Sequence, residues 1–156
     1  MARPLLTAAA FALPLLFHAQ SVQKALQNAN DAFAGTVVLR LDKHDRLVMD
    51  FFDKDVRFRQ DVVTAAQLDP ERITYSPEED AVVLNCGAGA ERCITKEVFK
   101  LGLLRHSSRS TLPCPADDPN GTRTIAALLD LIQSMQATAT AVPAETPEAG
   151  FRTKDR

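Results

Sequence analysis

The sequence predicts a small α+β domain: an antiparallel, bent sheet of about seven strands, capped by one amphipathic C-terminal helix. Between residues 35 and 112, apolar side chains recur at every second position in short runs separated by polar turns. This period is typical of half-buried antiparallel strands. Over residues 122–136 the apolar period lengthens to that of a helix. The change of period along the chain therefore predicts strands first and a helix last.

The first nineteen residues have the composition of a secretory signal peptide. Arg3 forms a short basic segment, an uncharged and mostly apolar run covers residues 4–17, and Ala19 is a small residue suited to cleavage. A spanning helix needs about 20 predominantly apolar residues, so a cleaved leader is favoured over the alternative of an uncleaved membrane anchor. We expect export to the periplasm or the extracellular medium, with no membrane insertion after cleavage.

Residues 20–34 are predicted to contain a short helix, because Val22, Leu26, Ala29 and Phe33 recur at helical spacing before Gly35. The domain proper is expected over residues 35–136. Its strand-like runs cover residues 35–41, 46–52, 56–63, 73–76, 81–86, 93–100 and 104–112. The first three are separated by short polar turns and predict a meander. The runs at 81–86 and 93–100 are predicted to pair as a hairpin.

The predicted C-terminal helix has an apolar stripe and a nearby cap. Asp118, or Asn120 slightly later, is a candidate for the capping residue. The stripe consists of Ile125, Leu128, Leu129, Ile132 and Met135. Residues 137–156 have helix-breaking prolines and no apolar period, which predicts a disordered tail.

The order of elements over residues 35–136 resembles the pleckstrin-homology-like superfold, in which a bent seven-stranded sheet is plugged at one end by a final helix. The chain also resembles small exported bacterial proteins of unassigned function. The resemblance rests on element order and implies no catalytic residue. Lys43 and the pair Arg57-x-Arg59 partly echo the phosphoinositide-binding pattern of that superfold. Acidic residues crowd the same turns, so we interpret Arg57 and Arg59 as a solvated strand face.

The chain has three cysteines, and their spacing predicts a disulfide bond and the cellular compartment in which it forms. Cys86 and Cys93 bracket a short glycine-containing loop between strand-like runs, which predicts a disulfide in an oxidising compartment. Two free thiols are the alternative. Their spacing does not fit a zinc site. Cys114 is the unpaired one, either buried or available to another chain.

The net charge argues against nucleic acid as a partner, and the sequence motifs predict no cofactor. The formal net charge is −2, and loss of Arg3 with the leader makes it −3. Nucleic acid requires a basic footprint, so it is not an expected partner. No motif predicts a cofactor or a metal, and the carboxylates cluster in turns as solvated residues. The sequence Asn120-Gly121-Thr122 is a formal glycosylation acceptor that matters only in a eukaryotic source.

These observations favour an exported, non-catalytic binding domain for an unknown protein or peptide, monomeric more readily than oligomeric. The run at 104–112 is polar and predicts an edge strand open to peptide addition. Its candidate peptide-binding side chains are Arg105, Ser107, Arg109 and Thr111. A small exported hydrolase or metal-assisted enzyme using His44 or His106 is one alternative. A structural envelope component tethered by its tail is another.

Overall fold

The computed structural model describes the backbone of residues 13–141 and the side chains of residues 20–140. Within this part the predicted α+β class is confirmed, with eight strands in two antiparallel sheets. The helices are α1 (Leu13–Phe33) and α2 (Thr122–Ala141). The larger sheet contains, in spatial order, β1 (Val37–Leu41), β2 (Leu47–Asp53), β3 (Val56–Val63), β6 (Ile94–Val98) and β7 (Leu103–Ser107). The smaller sheet contains β4 (Thr74–Ser76), β5 (Ala81–Asn85) and β8 (Arg109–Pro113).

The first three strands form the predicted meander, and the chain then leaves the sheet. β1 pairs with β2 and β2 with β3, all antiparallel. Two short 3₁₀ turns, Ala65–Gln67 and Pro70–Arg72, lead to β4 in the smaller sheet. The chain returns to the larger sheet at β6, which pairs with β3 on one side and β7 on the other. The resemblance to the pleckstrin-homology-like superfold stays a prediction.

The hairpin predicted between residues 81–86 and 93–100 is wrong, although the disulfide is present. β5 pairs with β4 and β8, whereas β6 pairs with β3 and β7. Cys86 follows β5 and Cys93 precedes β6, and their Cα atoms lie 5.8 Å apart. The hairpin register is not formed because β5 lies between β4 and β8 in the smaller sheet, and β6 lies between β3 and β7 in the larger sheet. The disulfide therefore joins the two sheets instead of closing a hairpin.

The core lies between the two sheets and the two helices. Its fully buried side chains come from both sheets and from α1 and α2, and the largest are Phe33, Phe51, Leu47, Met49, Leu84, Ile94, Leu112, Leu128, Leu131 and Ile132. Burying a leucine or phenylalanine contributes about 1.5–3 kcal/mol. A single core is therefore shared by both sheets and both helices.

Helix α1 begins upstream of the predicted helix and packs on α2 and β1. Its buried side chains include the small Ala25 and Ala29, together with Val22 and the large Phe33, while Leu26 is only partly buried. These buried residues all follow Ala19. Residues 1–12 of the predicted leader lie outside the described residues. No helix in the described part is long and apolar enough to cross a bilayer.

Helix α2 extends to Ala141, five residues beyond its predicted end at Gln136. Its buried stripe also differs from the prediction, because Leu131 is fully buried whereas Ile125 and Leu129 are partly buried. Gln136 belongs to the packed surface, since its amide donates to the carbonyls of Ala65 and Leu68 at 2.9 and 3.1 Å. The rest of the predicted tail, residues 142–156, lies outside the described residues.

Asp118 caps α2, as one of the two predicted candidates. Its carboxylate accepts hydrogen bonds from the backbone amide and hydroxyl of Thr124 at 2.8 and 2.7 Å. Burial opposes ionisation of Asp118, but these bonds and the nearby Arg123 outweigh it and lower the pKa of its carboxyl below 3.8. The cap satisfies amides that the first turn of a helix leaves without partners.

Candidate functional site

The polar run at residues 104–112 is two strands, not the single edge strand predicted. β7 ends at Ser107, and β8 begins at Arg109 in the other sheet. The Ser107 hydroxyl donates to the Arg109 carbonyl at 2.8 Å and accepts from its amide at 3.3 Å. The Ser108 carbonyl accepts from the Cys86 amide at 2.9 Å. These local bonds turn the chain, so Arg105 and Ser107 lie in β7 while Arg109 and Thr111 lie in β8.

The β8 half of this run is already engaged. The Thr111 carbonyl accepts a hydrogen bond from the Arg59 guanidinium at 2.9 Å. The Ser110 hydroxyl, which is fully buried, donates to Asp61 at 2.5 Å. Arg109 forms an ion pair with Glu79. β8 is therefore held against the larger sheet by side chains of β3, which leaves its outer edge poorly placed to accept a peptide.

The β7 half is an open edge. Among the described residues only β6 pairs with β7, and the strands are joined over its whole length from Leu103 to Ser107. Leu104 is 62% exposed, and Arg105 and His106 are exposed. In an antiparallel strand, alternate residues turn both the amide and the carbonyl away from the neighbouring strand. β7 thus presents backbone donors and acceptors that no described strand covers.

The opposite edge of the same sheet is blocked by a side chain. The Asn30 amide group on α1 accepts from the Leu39 amide at 2.8 Å and donates to the Leu39 carbonyl at 2.9 Å. Asn30 therefore makes the two bonds that a neighbouring strand would make at that residue. Proteins commonly cover sheet edges to prevent pairing with other chains. The contrast between the covered β1 edge and the open β7 edge singles out β7.

A buried ionic cluster lies next to β7 on the larger sheet, on the face that is turned toward β8. Asp61 is fully buried, with Arg59 at 3.1 Å and Lys96 at 3.9 Å from its carboxylate. Burial raises the pKa of the Asp61 carboxyl more than the Ser110 hydrogen bond and the two cations lower it. Burial likewise lowers the pKa of Lys96. Charges in such a site need partners, and here Arg59, Lys96 and Ser110 supply them.

The prediction that Arg57 and Arg59 form one solvated face is wrong for Arg59. The Arg59 side chain is 18% exposed and lies over the ring of Phe51, with 3.6 Å from its guanidinium carbon to the ring centroid. Arg57 instead contacts Asp50 at 3.2 Å on the other face. The pairing of β2 with β3 shifts register between Phe51 and Phe52, opposite these arginines. Because of this irregularity, Arg57 and Arg59 lie on different faces of the sheet, although alternation of side chains along a regular strand would put both on one face.

The two candidate histidines are not brought together. His44 lies in the turn between β1 and β2, and His106 lies on β7 at the opposite edge of the sheet. Both are exposed. The described contact of the His106 ring is with the Thr95 hydroxyl at 3.3 Å. The residues that the structure describes contain no group of three or more histidine, cysteine or acidic side chains able to hold a metal ion.

A shallow groove of about 550 Å³ lies between α1 and α2. Asp31, Asp117, Arg123 and Asp130 contribute its charged side chains. Arg123 makes two hydrogen bonds to Asp117, at 2.9 and 3.0 Å, and these bonds lower the pKa of the Asp117 carboxyl. The groove is lined by no histidine, serine or cysteine. Its ion pair joins α2 to the loop that precedes it.

Cys114 is the free cysteine of the described residues and is partly buried beside Gly121. Burial, together with the charges of Asp118 and Asp80, raises the pKa of its thiol. A raised pKa keeps the sulfur protonated, and the thiolate is the nucleophilic form. The thiol therefore has the character of a structural cysteine.

Comparison with known proteins finds no matching family model, no matching curated protein and no matching solved structure.

Proposed function

We propose that the chain is an exported, non-catalytic binding domain that takes up an extended segment of a protein or peptide on the free edge of β7. The observation that carries the proposal is the difference between the two edges of the larger sheet. Asn30 bonds to both backbone groups of Leu39 on β1, whereas the three central residues of β7, Leu104 to His106, are exposed and no described strand pairs with its outer edge. Strand addition uses backbone hydrogen bonds for affinity and alternate side chains for selectivity.

Rigidity behind the edge supports the same function. β7 pairs with β6 over five residues, and the bond between Cys86 and Cys93 fixes the loop that enters β6. The Asp61 cluster ties β3 and β6 to β8. An edge held in place before binding loses little conformational entropy when a ligand strand is added. The disulfide also supports an oxidising compartment, so we propose the periplasm or the extracellular medium as its location.

Peptide N-methylation tests the proposal without altering the protein. The full oxidised chain would first be used to select eight-residue binders from a random displayed library. Each binder would then be synthesised with single N-methyl groups at successive positions. Because a strand bonds to its neighbour through alternate residues, N-methylation at every second position should weaken binding strongly, and the positions between should tolerate it.

The control is the same series of peptides with their sequences scrambled. Selected binders that tolerate N-methylation everywhere, or lose affinity without alternation, would contradict strand addition. Failure to select any binder from the library would contradict the proposed function as well.

A further inference from the structure

The row of side chains that runs across the larger sheet to β7 has unbalanced charge. Asp61, Lys96 and Arg105 are directly opposite one another on β3, β6 and β7 and so lie on one face. The Asp61 carboxylate is already engaged by Ser110, Arg59 and Lys96. Arg105 is exposed and, in the described part of the chain, forms no ion pair with a carboxylate. The row therefore ends on a cation without a partner.

The neighbouring acidic group does not restore the balance. Glu79 lies close enough to Lys96 to influence its pKa, but its carboxylate is bonded to Arg109. A strand added beside β7 continues the row, and side chains directly opposite one another are about 4.5–5.5 Å apart at Cβ. Opposite charges across such a pair stabilise it and like charges destabilise it. The ligand position opposite Arg105 thus favours aspartate or glutamate.

The other face of β7 carries an exposed apolar side chain. Leu104 is opposite Glu97 on that face and is 62% exposed, while Leu101 in the preceding turn is 73% exposed. A ligand side chain beside Leu104 buries apolar surface at about 25 cal/mol per Å². Because strand side chains alternate between faces, the ligand residue that faces Leu104 is an immediate sequence neighbour of the acidic one.

A second copy of the chain fits this edge poorly. The antiparallel register that pairs all five residues of β7 with another β7 is centred on Arg105. It places Arg105 opposite the same residue of the other copy, a like-charge pair that destabilises the sheet. The edge is therefore complementary to a different strand, one that carries a negative charge.

We propose that the ligand is an extended acidic peptide segment, with a carboxylate side chain facing Arg105 and an apolar residue beside it in sequence facing Leu104. This inference rests on the proposed function of β7 as a strand-accepting edge. A carboxylate opposite Arg105 is expected to strengthen binding about 1.5- to 5-fold over its amide, the range of cross-strand charge pairs.

The test compares selections from one random eight-residue library by the wild type, by Arg105→Glu and by Lys43→Glu. Lys43 is exposed in the turn between β1 and β2, so Lys43→Glu makes the same charge change at the far edge. Wild type and Lys43→Glu should enrich aspartate or glutamate at one position with an apolar residue next to it. Arg105→Glu should enrich lysine or arginine there, and it should prefer the lysine form of a wild-type binder to the aspartate form.

The outcomes separate the two proposals. Binders that show the alternating N-methyl pattern but no acidic position, with the same consensus for Arg105→Glu, would overturn the acidic ligand and leave strand addition standing. A loss of the alternating pattern would overturn the proposed function and this inference together. Reversal of the charge preference in Arg105→Glu, and not in Lys43→Glu, would support both.

Discussion

Asn30 is the residue that best explains why one sheet edge is closed. Its side-chain amide bonds to both backbone groups of Leu39, a buried residue on β1. The sequence around Asn30 gives no sign of this role, since asparagine on a helix usually faces solvent and its partner lies nine residues away. Side-chain mimicry of a strand depends on how α1 crosses β1, which only tertiary packing sets.

Asn30→Ala should destabilise the domain by about 1–3 kcal/mol, because it leaves a buried amide and carbonyl without partners. Asn28→Ala, at an exposed position on the same helix, is the matched control. Urea unfolding of the two variants measures the difference. Equal midpoints for Asn30→Ala and Asn28→Ala would show that Leu39 does not depend on the side chain.

The Asp118 cap should make stability depend on pH. Its pKa in the folded chain lies below 3.8, so its contribution is fully present above 3.8 and is lost as the pH falls through the folded value. Asp118→Asn removes this charge and should be less stable than the wild type at neutral pH. The difference should shrink on acidification, and Asp130→Asn, at an exposed position of α2, is the charge-matched control. Unfolding free energies across a pH series would reveal the shrinking difference, and parallel curves for Asp118→Asn and wild type would argue against the cap.

At the scale of elements, α2 closes the core through a stripe that the sequence located only approximately. The predicted stripe included Leu128, Ile132 and Met135, which are buried, but it put Leu129 in place of the fully buried Leu131. Leu129 and Leu131 flank that stripe on opposite sides, and helical periodicity alone cannot choose between them. The choice depends on the direction from which the two sheets meet the helix.

Leu131→Ala should therefore cost about 2–5 kcal/mol, the usual range for a leucine truncated in a packed core. Leu129→Ala, at a partly buried position two residues earlier, should cost clearly less. Thermal and urea unfolding of the pair give the comparison. A larger loss for Leu129→Ala would mean that α2 is rotated relative to the arrangement described.

The disulfide between Cys86 and Cys93 links β5 and β6, two strands that are not hydrogen-bonded to each other. Its loss should therefore loosen the contact between the two sheets. The loop it closes is short, with a sequence separation of seven, and the chain-entropy model gives about 2.5 kcal/mol for such a ring. A Cys86→Ala, Cys93→Ala double variant should lose about that stability. Non-reducing peptide mapping of the wild type should recover one linked peptide that joins the two cysteines. Alkylation of both without prior reduction would refute the bond.

For the molecule as a whole, local patterns predicted the elements and failed on long-range pairing. The meander, the disulfide and the amphipathic C-terminal helix follow from periods and spacings within a few residues. The placement of β5 and β6 in different sheets does not, because two apolar runs joined by a short loop fit a hairpin equally well. The split at Ser108 was hidden for the same reason, since both halves keep a period of two.

The candidate site was likewise predicted where it depends on local patterns and missed where it depends on contacts between distant strands. Arg105 and Ser107 were predicted on an edge strand, and they lie on one, whereas Arg109 and Thr111 belong to the other sheet. The Asp61 cluster was missed, because its members come from β3, β6 and β8 and are adjacent only after folding. The available signal in the sequence was an aspartate directly before two valines in a half-apolar strand.

Amide hydrogen exchange along β7 tests the central proposal most directly. In the free chain every second amide from Leu103 to Ser107 should exchange quickly, while those bonded to β6 are protected. Adding a selected acidic peptide should protect the fast-exchanging amides of β7 and leave those of β1 unchanged. Uniform protection of β7 in the free chain, or new protection on another strand and none on β7, would contradict a binding edge at this strand.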